Sequence, residues 1–158
     1  MRPLSFLILF PLVLSAGCSK ALSPDDFLTK ALEGDNSEIS LGTLAAQKGG
    51  AAVAAYGRSL VADHTKARAA AVAVALRNGV SDTTSLLPEA SKERAKLDGL
   101  SGGDFDKEFA SYMVQDHKED IADFTKEAQS SAPADIRKMA QDTLPDLRKH
   151  LAMAQSLK

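Results

Sequence analysis

The chain has 158 residues, with 19 basic and 21 acidic side chains and a formal net charge of −2. These charges are spread along the sequence without a basic stripe, which excludes the usual pattern of a nucleic-acid-binding protein. The absence of tryptophan, an aromatic content of 5% and a high alanine content argue against a β-sandwich and favour helices.

The first 17 residues have the proportions of a signal peptide. Arg2 precedes an apolar run from Leu4 to Leu14, which is much shorter than the roughly 20 residues that a membrane-spanning helix needs. Small residues at positions 15–17 then precede Cys18, the only cysteine in the sequence. The sequence therefore predicts a signal peptide over residues 1–17.

The segment Ser15-Ala16-Gly17-Cys18 resembles the lipobox of bacterial lipoproteins, in which the cysteine sulfur receives a diacylglycerol and becomes the new N-terminus. Ser15 departs from the commonest pattern, which has leucine there. The resemblance implies a lipid anchor on Cys18, a tether over residues 18–22 and, from Ser19, placement at the outer membrane facing the periplasm. The alternative is an ordinary cleaved signal peptide in which Cys18 carries no lipid. The sequence predicts the membrane as a partner through Cys18 and no nucleic acid, and it leaves the identity of any protein partner open.

Residues 23–158 have the pattern of one helical domain. A capping serine followed by proline, Ser23-Pro24, predicts a helix over about 24–48, which Gly49-Gly50 ends. A second helix covers about 51–77 and ends at Asn78-Gly79. The connection that follows contains a short helix at about 88–97. Two further long helices cover about 104–129 and 134–157, and Pro145 is expected to bend the last of them.

Four long amphipathic helices in this order predict an all-α domain, a four-helix bundle. The turns at residues 49–50 and 130–133 are short, so each pair of helices is expected to form an antiparallel hairpin. The connection between the second and third long helices is long enough either to cross the bundle or to decorate one end.

Each long helix carries one polar residue in the middle of its apolar stripe, when the helix is wound at about 100° per residue. These residues are Glu38, His64, His117 and His150, and they include all three histidines of the chain. With a rise of about 1.5 Å per residue, all four lie near the middle of their helices. The sequence therefore predicts that one carboxylate and three imidazoles converge.

Such groups are costly to bury unless they find partners. One interpretation is a site for one divalent metal ion (zinc, iron, manganese or copper), because imidazole and carboxylate ligands suit these metals. The other is a structural hydrogen-bond network. Asp63 and Asp116 each precede a histidine, and either orient a histidine of a neighbouring helix or face solvent. Asp120 is a further candidate ligand.

Several motifs resemble the bacterial family called domain of unknown function 4142, over about residues 25–157. They are the stretch 38–42, the two Asp-His pairs, and Thr143-Leu144-Pro145 followed by His150-Leu151. The resemblance implies a ferritin-like four-helix bundle in an exported protein, and no established activity. The Glu-x-x-His motif of ferritin-like di-iron enzymes is missing, because Val61, Val114 and Leu147 stand three positions before the histidines. A single ion therefore fits this sequence better than a di-iron centre.

The sequence contains no Gly-x-Ser-x-Gly elbow, phosphate-binding glycine loop, Cys-x-x-Cys pair or His-Glu-x-x-His motif, and it assigns no enzymatic activity. The predicted function is that of a cell-envelope lipoprotein whose helical domain binds one metal ion through Glu38, His64, His117 and His150. The alternative is a non-catalytic structural or interaction lipoprotein in which these four residues form only a hydrogen-bond network.

Overall fold

A computed structural model describes residues 22–157, which form helices and no strand. The helices are α1 (Pro24–Lys48), α2 (Ala51–Arg77), α3 (Pro88–Asp98), α4 (Gly102–Ala128) and α5 (Ala134–Ser156). This confirms the all-helical prediction. None of the helices in this part of the chain combines the length and the apolar character needed to cross a membrane. The predicted signal peptide and Cys18 lie outside the described residues.

The helix ends follow from local capping chemistry. The Ser23 side chain accepts a hydrogen bond from the backbone N–H of Asp26 at 3.1 Å, and Pro24 occupies the first turn of α1, as predicted. After α2, Gly79 has a φ of +80°, a conformation that favours glycine. Helix α5 continues through Pro145.

The long helices pack as two hairpins, α1 with α2 and α4 with α5. In the first hairpin the two backbones approach closely where Gly42 faces Gly57. A Cβ atom built on Gly57 would lie 2.5 Å from the carbonyl oxygen of Gly42, and one built on Gly42 would lie 2.8 Å from that of Gly57. These two glycines therefore fix how closely α1 and α2 pack.

The connection between α2 and α4, including α3, runs alongside α1. The backbone N–H of Leu87 donates to the side-chain oxygen of Ser37 at 2.9 Å, near the middle of α1. The ammonium group of Lys48 donates to the carbonyl oxygen of Asp98 at 2.7 Å, at the end of α1. The connection therefore follows the second half of α1 and does not merely decorate one end of the domain.

The apolar core consists of two clusters. One contains, among others, Leu41, Leu60, Phe109 and Met113. The other contains, among others, Phe27, Leu28, Ile136 and Ala140. Along each of α1, α2 and α5, buried polar residues lie between the segments that contribute to the two clusters. A polar layer therefore crosses the middle of the domain.

Candidate metal centre

The polar layer contains all four residues that the sequence places on apolar stripes. Glu38, His64, His117 and His150 expose between 0% and 4% of their surface. The ring centroids of His64 and His150 are 5.2 Å apart, those of His117 and His150 are 5.5 Å apart, and those of His64 and His117 are 6.1 Å apart. The three imidazoles thus meet from three different helices.

Two of the histidines are held by carboxylates of α1 and α2. Nδ1 of His64 lies 2.8 Å from Oδ1 of Asp35. Nε2 of His150 lies 2.9 Å from Oδ2 of Asp63. In the tautomer in which the paired nitrogen donates to the carboxyl oxygen, the other nitrogen of the neutral ring keeps a free lone pair, as in many metal sites.

The third histidine is held by its own helix. Nδ1 of His117 lies 3.0 Å from the carbonyl oxygen of Met113, one turn earlier in α4. Each ring therefore has one nitrogen committed to an oxygen. The opposite nitrogens are buried and have no hydrogen-bond partner among the described residues: Nε2 of His64, Nε2 of His117 and Nδ1 of His150.

The spacing of the rings is suitable for one ion. Each of the three rings offers a nitrogen, and these atoms lie within 4.8 Å of one another. Ligand nitrogens of a tetrahedral ion lie about 2.0–2.1 Å from it and hence roughly 3.3 Å from one another. Each nitrogen–nitrogen distance would therefore have to shorten by at most about 1.5 Å for the three nitrogens to bind one tetrahedral ion.

Glu38 belongs to a second group, which shares His117 with the first. Glu38, Asp116 and His117 offer ligand atoms within 4.8 Å of one another. Oε1 of Glu38 lies 3.5 Å from Nδ1 of His117, which is the nitrogen that faces Met113 and not the unpartnered one. The structure therefore brings all four predicted residues into one layer, with Glu38 behind the ring of His117.

The Glu38 and Asp116 carboxyl groups lie close together, since they and His117 offer ligand atoms within 4.8 Å of one another. No N–H or O–H donor of the described residues reaches either oxygen of Glu38. Two neighbouring carboxyl groups repel one another when both are ionised, which favours the protonated form of one of them. Asp116 therefore lies beside Glu38, with 16% of its side chain exposed.

Burial sets the protonation of the layer. It lowers the pKa of His64, His117 and His150 to about 4, so the rings are neutral at pH 7, the form that binds metals. Burial raises the pKa of Asp35 and of Glu38 to about 8. The metal-free layer thus holds neutral imidazoles beside carboxyl groups that retain protons.

Metal-free protein should lose stability as the pH rises from 7 to 8. Asp35 and Glu38 keep protons in the folded state up to a pKa of about 8, whereas the unfolded chain releases them above about pH 4. The folded state binds more protons in this window, so the free energy of unfolding falls with pH, by at most about 1.4 kcal/mol per pH unit for each carboxyl. The histidines contribute little, because they are largely neutral in both states above pH 7.

Urea denaturation at pH 7 and pH 8 in the presence of a chelator measures this slope. Asp35→Asn is the control, because the amide keeps an acceptor oxygen for His64 and cannot titrate; its slope should be shallower. A stability that is constant or increases over this window would show that the buried carboxyls are already ionised.

Sequence reasoning did not single out Asp35. Its signal was present, since Asp35 stands three residues before Glu38 and therefore lies on the same face of α1. Asp63 was one of two acids considered as supports for a histidine of a neighbouring helix, and it contacts His150 of α5 in this way. Asp120 joins neither of the two groups of potential ligands.

Comparison with known proteins gives a family and no individual relative. The model of a family described as a domain of unknown function, DUF4142, matches residues 13–157. Neither the curated proteins nor the solved structures contain a match to the chain. Because the family model covers nearly the whole sequence, the chain belongs to the DUF4142 family.

Proposed function

We propose that the protein is an exported cell-envelope lipoprotein whose helical domain, a ferritin-like four-helix bundle, binds one divalent metal ion. His64, His117 and His150 are the ligands, and Glu38 supports His117. Two observations carry this proposal: each of the three rings has a buried nitrogen without a hydrogen-bond partner among the described residues, and the three rings offer one nitrogen each within 4.8 Å of one another. Zinc, copper and iron are the ions that imidazole-rich sites favour, and manganese is a further candidate.

The arrangement favours a metal over the alternative of a structural network. A network would gain stability by pairing the histidine nitrogens with nearby donors or acceptors. Here one nitrogen of each ring is paired, with Asp35, Asp63 or a carbonyl group, while the other nitrogen of each ring is unpaired. Unpaired buried nitrogens are costly, and a shared cation would use all three lone pairs at once.

The metal proposal is tested by stoichiometry. The purified protein is stripped with chelator, dialysed, and titrated separately with Zn²⁺, Cu²⁺ and Mn²⁺, and the bound metal is measured by elemental analysis. We expect one ion per chain for at least one of these metals. Mg²⁺ is the control, because it prefers oxygen ligands and should not bind to the three imidazoles. Less than 0.1 ion per chain for every metal would leave the structural network as the function of the layer.

The envelope proposal rests on the N-terminal sequence. Arg2, the apolar run 4–14 and the lipobox-like segment before Cys18 support export and lipidation, and the helical domain begins within a few residues of Cys18. Metabolic labelling with a fatty-acid analogue should mark the wild-type protein and leave Cys18→Ala unlabelled. The matched control is Ser19→Ala, which keeps the cysteine. Equal labelling of the wild type and Cys18→Ala, or none in either, would contradict the lipid anchor.

A further inference from the structure

Two cavities between α1 and α4 share lining residues, and the one lined by His64 is called the inner cavity. The inner one has a volume of about 20 Å³, enough for about one water molecule, and its lining includes Asp35, His64 and Asp120. The outer one has a volume of about 280 Å³ and is lined at its far side by Leu22, Pro24 and residues 130–132. His64 is buried, and the nitrogen that it leaves unpartnered, Nε2, is one of the three proposed ligand atoms.

The two cavities share a wall formed by Phe27, Lys30 and Asp123. Within this wall the ammonium group of Lys30 lies 2.6 Å from Oδ2 of Asp123, and about one third of each side chain is exposed. Phe124, which packs edge-on against Phe27 with ring centroids 5.0 Å apart, borders the same inner cavity. The ion pair is therefore the polar and displaceable part of a wall that is otherwise aromatic.

Carboxyl groups follow one another from this wall to the histidines. Asp35, Asp120 and Asp123 all line the inner cavity. Asp35 in turn contacts His64. An entering cation would meet oxygen ligands at each stage, which compensates for the loss of its water shell in a cavity that has room for about one water molecule.

A second depression does not offer the same access. A larger groove between α2 and α5 extends to Asp63, the carboxylate that contacts Nε2 of His150, but none of the three histidines lines it. The inner cavity, by contrast, has His64 in its lining.

We propose that a divalent metal cation reaches the three histidines through the passage formed by these two cavities, and that the Lys30–Asp123 ion pair is its gate. This inference rests on the proposed metal site. Closed, the ion pair separates the outer cavity from the inner one. Open, it moves the Lys30 ammonium group out of the way and exposes the Asp123 carboxylate to the cation.

A gate has a kinetic signature that a change in local charge does not share. Lys30→Met removes a positive charge and Asp123→Asn removes a negative one, so their effects on cation attraction are opposite. Both changes break the same ion pair. If the pair is a gate, both variants should speed Zn²⁺ association and dissociation by roughly three- to fivefold, which is the factor that a partly exposed ion pair contributes. The Kd should stay within about twofold of the wild-type value.

Stopped-flow mixing of the full-length purified protein with Zn²⁺ in the presence of a chromophoric chelator gives the association rate, and excess chelator gives the dissociation rate. Lys138→Met is the matched control, because Lys138 forms an ion pair with Asp142 at 2.7 Å beside the α2–α5 groove. Its rates should equal those of the wild type. Rates that move in opposite directions in Lys30→Met and Asp123→Asn, or that stay at the wild-type value in both, would overturn the gate while the metal site stands. Absence of Zn²⁺ binding in the wild type itself would overturn the site on which the gate depends.

Discussion

Replacing His117 by alanine is expected to abolish the rise in melting temperature that the proposed metal ion would give to the wild-type protein. At a free metal concentration about 1,000 times the Kd, binding to the folded state alone stabilises it by about 4 kcal/mol. For a domain of this size that corresponds to a rise on the order of 10 °C. Without His117 only two imidazoles remain as ligands. His117 is also the residue that belongs to both groups of potential ligands.

The measurement is thermal denaturation at pH 7, followed by circular dichroism, with Zn²⁺ and with chelator. His64→Ala and His150→Ala should behave like His117→Ala. Glu38→Ala separates two hypotheses: a four-ligand site predicts complete loss of the response, whereas the position of Glu38 behind His117 predicts a response that is weakened but retained. A full wild-type response in His117→Ala would exclude this ring as a ligand.

The rise in melting temperature on addition of Zn²⁺ should become smaller as the pH is lowered from 7. Protons compete with the ion for imidazole nitrogens, and burial places the pKa of these rings at about 4 in the metal-free folded state.

The stability of the metal-free protein also depends on the histidines. In the unfolded chain the pKa of histidine is about 6.5, so the unfolded state takes up protons first as the pH falls from 6.5. The histidines therefore contribute to stability above about pH 6.5, and this contribution is lost as the pH falls towards 4.

Phe109→Ala should lower the free energy of unfolding by about 3–5 kcal/mol. The side chain is fully buried in the cluster below the histidine layer, with its ring 6.0 Å from that of Tyr56 and 6.1 Å from that of Phe105. Removing it leaves a cavity that rigid helices cannot close completely. Urea denaturation in chelator measures the change without any metal contribution.

Phe124→Ala is the comparison for this variant. The sequence places Phe109 and Phe124 on the same apolar stripe, and equal losses would follow if both were core residues. The structure corrects this, since Phe124 is only partly buried and borders the inner cavity. Its loss should be clearly smaller than that of Phe109→Ala. A change within about 0.5 kcal/mol for Phe109→Ala would show that this face of α4 is not in the core.

The sequence predicts the helices well because their ends are determined locally. Ser23-Pro24 caps the first turn of α1, Gly49 ends it, and the predicted limits of α1 and α2 agree with the structure. The start of α4 lies two residues earlier than predicted, at Gly102, where a φ of +58° marks the turn into the helix. No pattern of apolar residues specifies such a turn.

The sequence also predicts the histidine layer, because each histidine lies on its own apolar stripe and each stripe must face the core. The partners of the rings are less accessible to prediction. Asp35 contacts His64, and Glu38 lies 3.5 Å from Nδ1 of His117. Both contacts depend on how α1 is rotated about its own axis relative to α2 and α4. That rotation depends on packing between helices, including the close approach of Gly42 to Gly57. It cannot be predicted from the apolar periodicity of a single helix.

The three histidines are divided unequally between the two hairpins. His64 belongs to α2 in the first hairpin, and His117 and His150 belong to α4 and α5 in the second. Each hairpin can form from contacts that are local in sequence, but the complete ligand set exists only after the two have docked. The free energy of metal binding would therefore stabilise the docking of the two hairpins. A chain that crosses a membrane unfolded would acquire its ion only on the far side, and the supply of metals in that compartment would then decide which ion it carries.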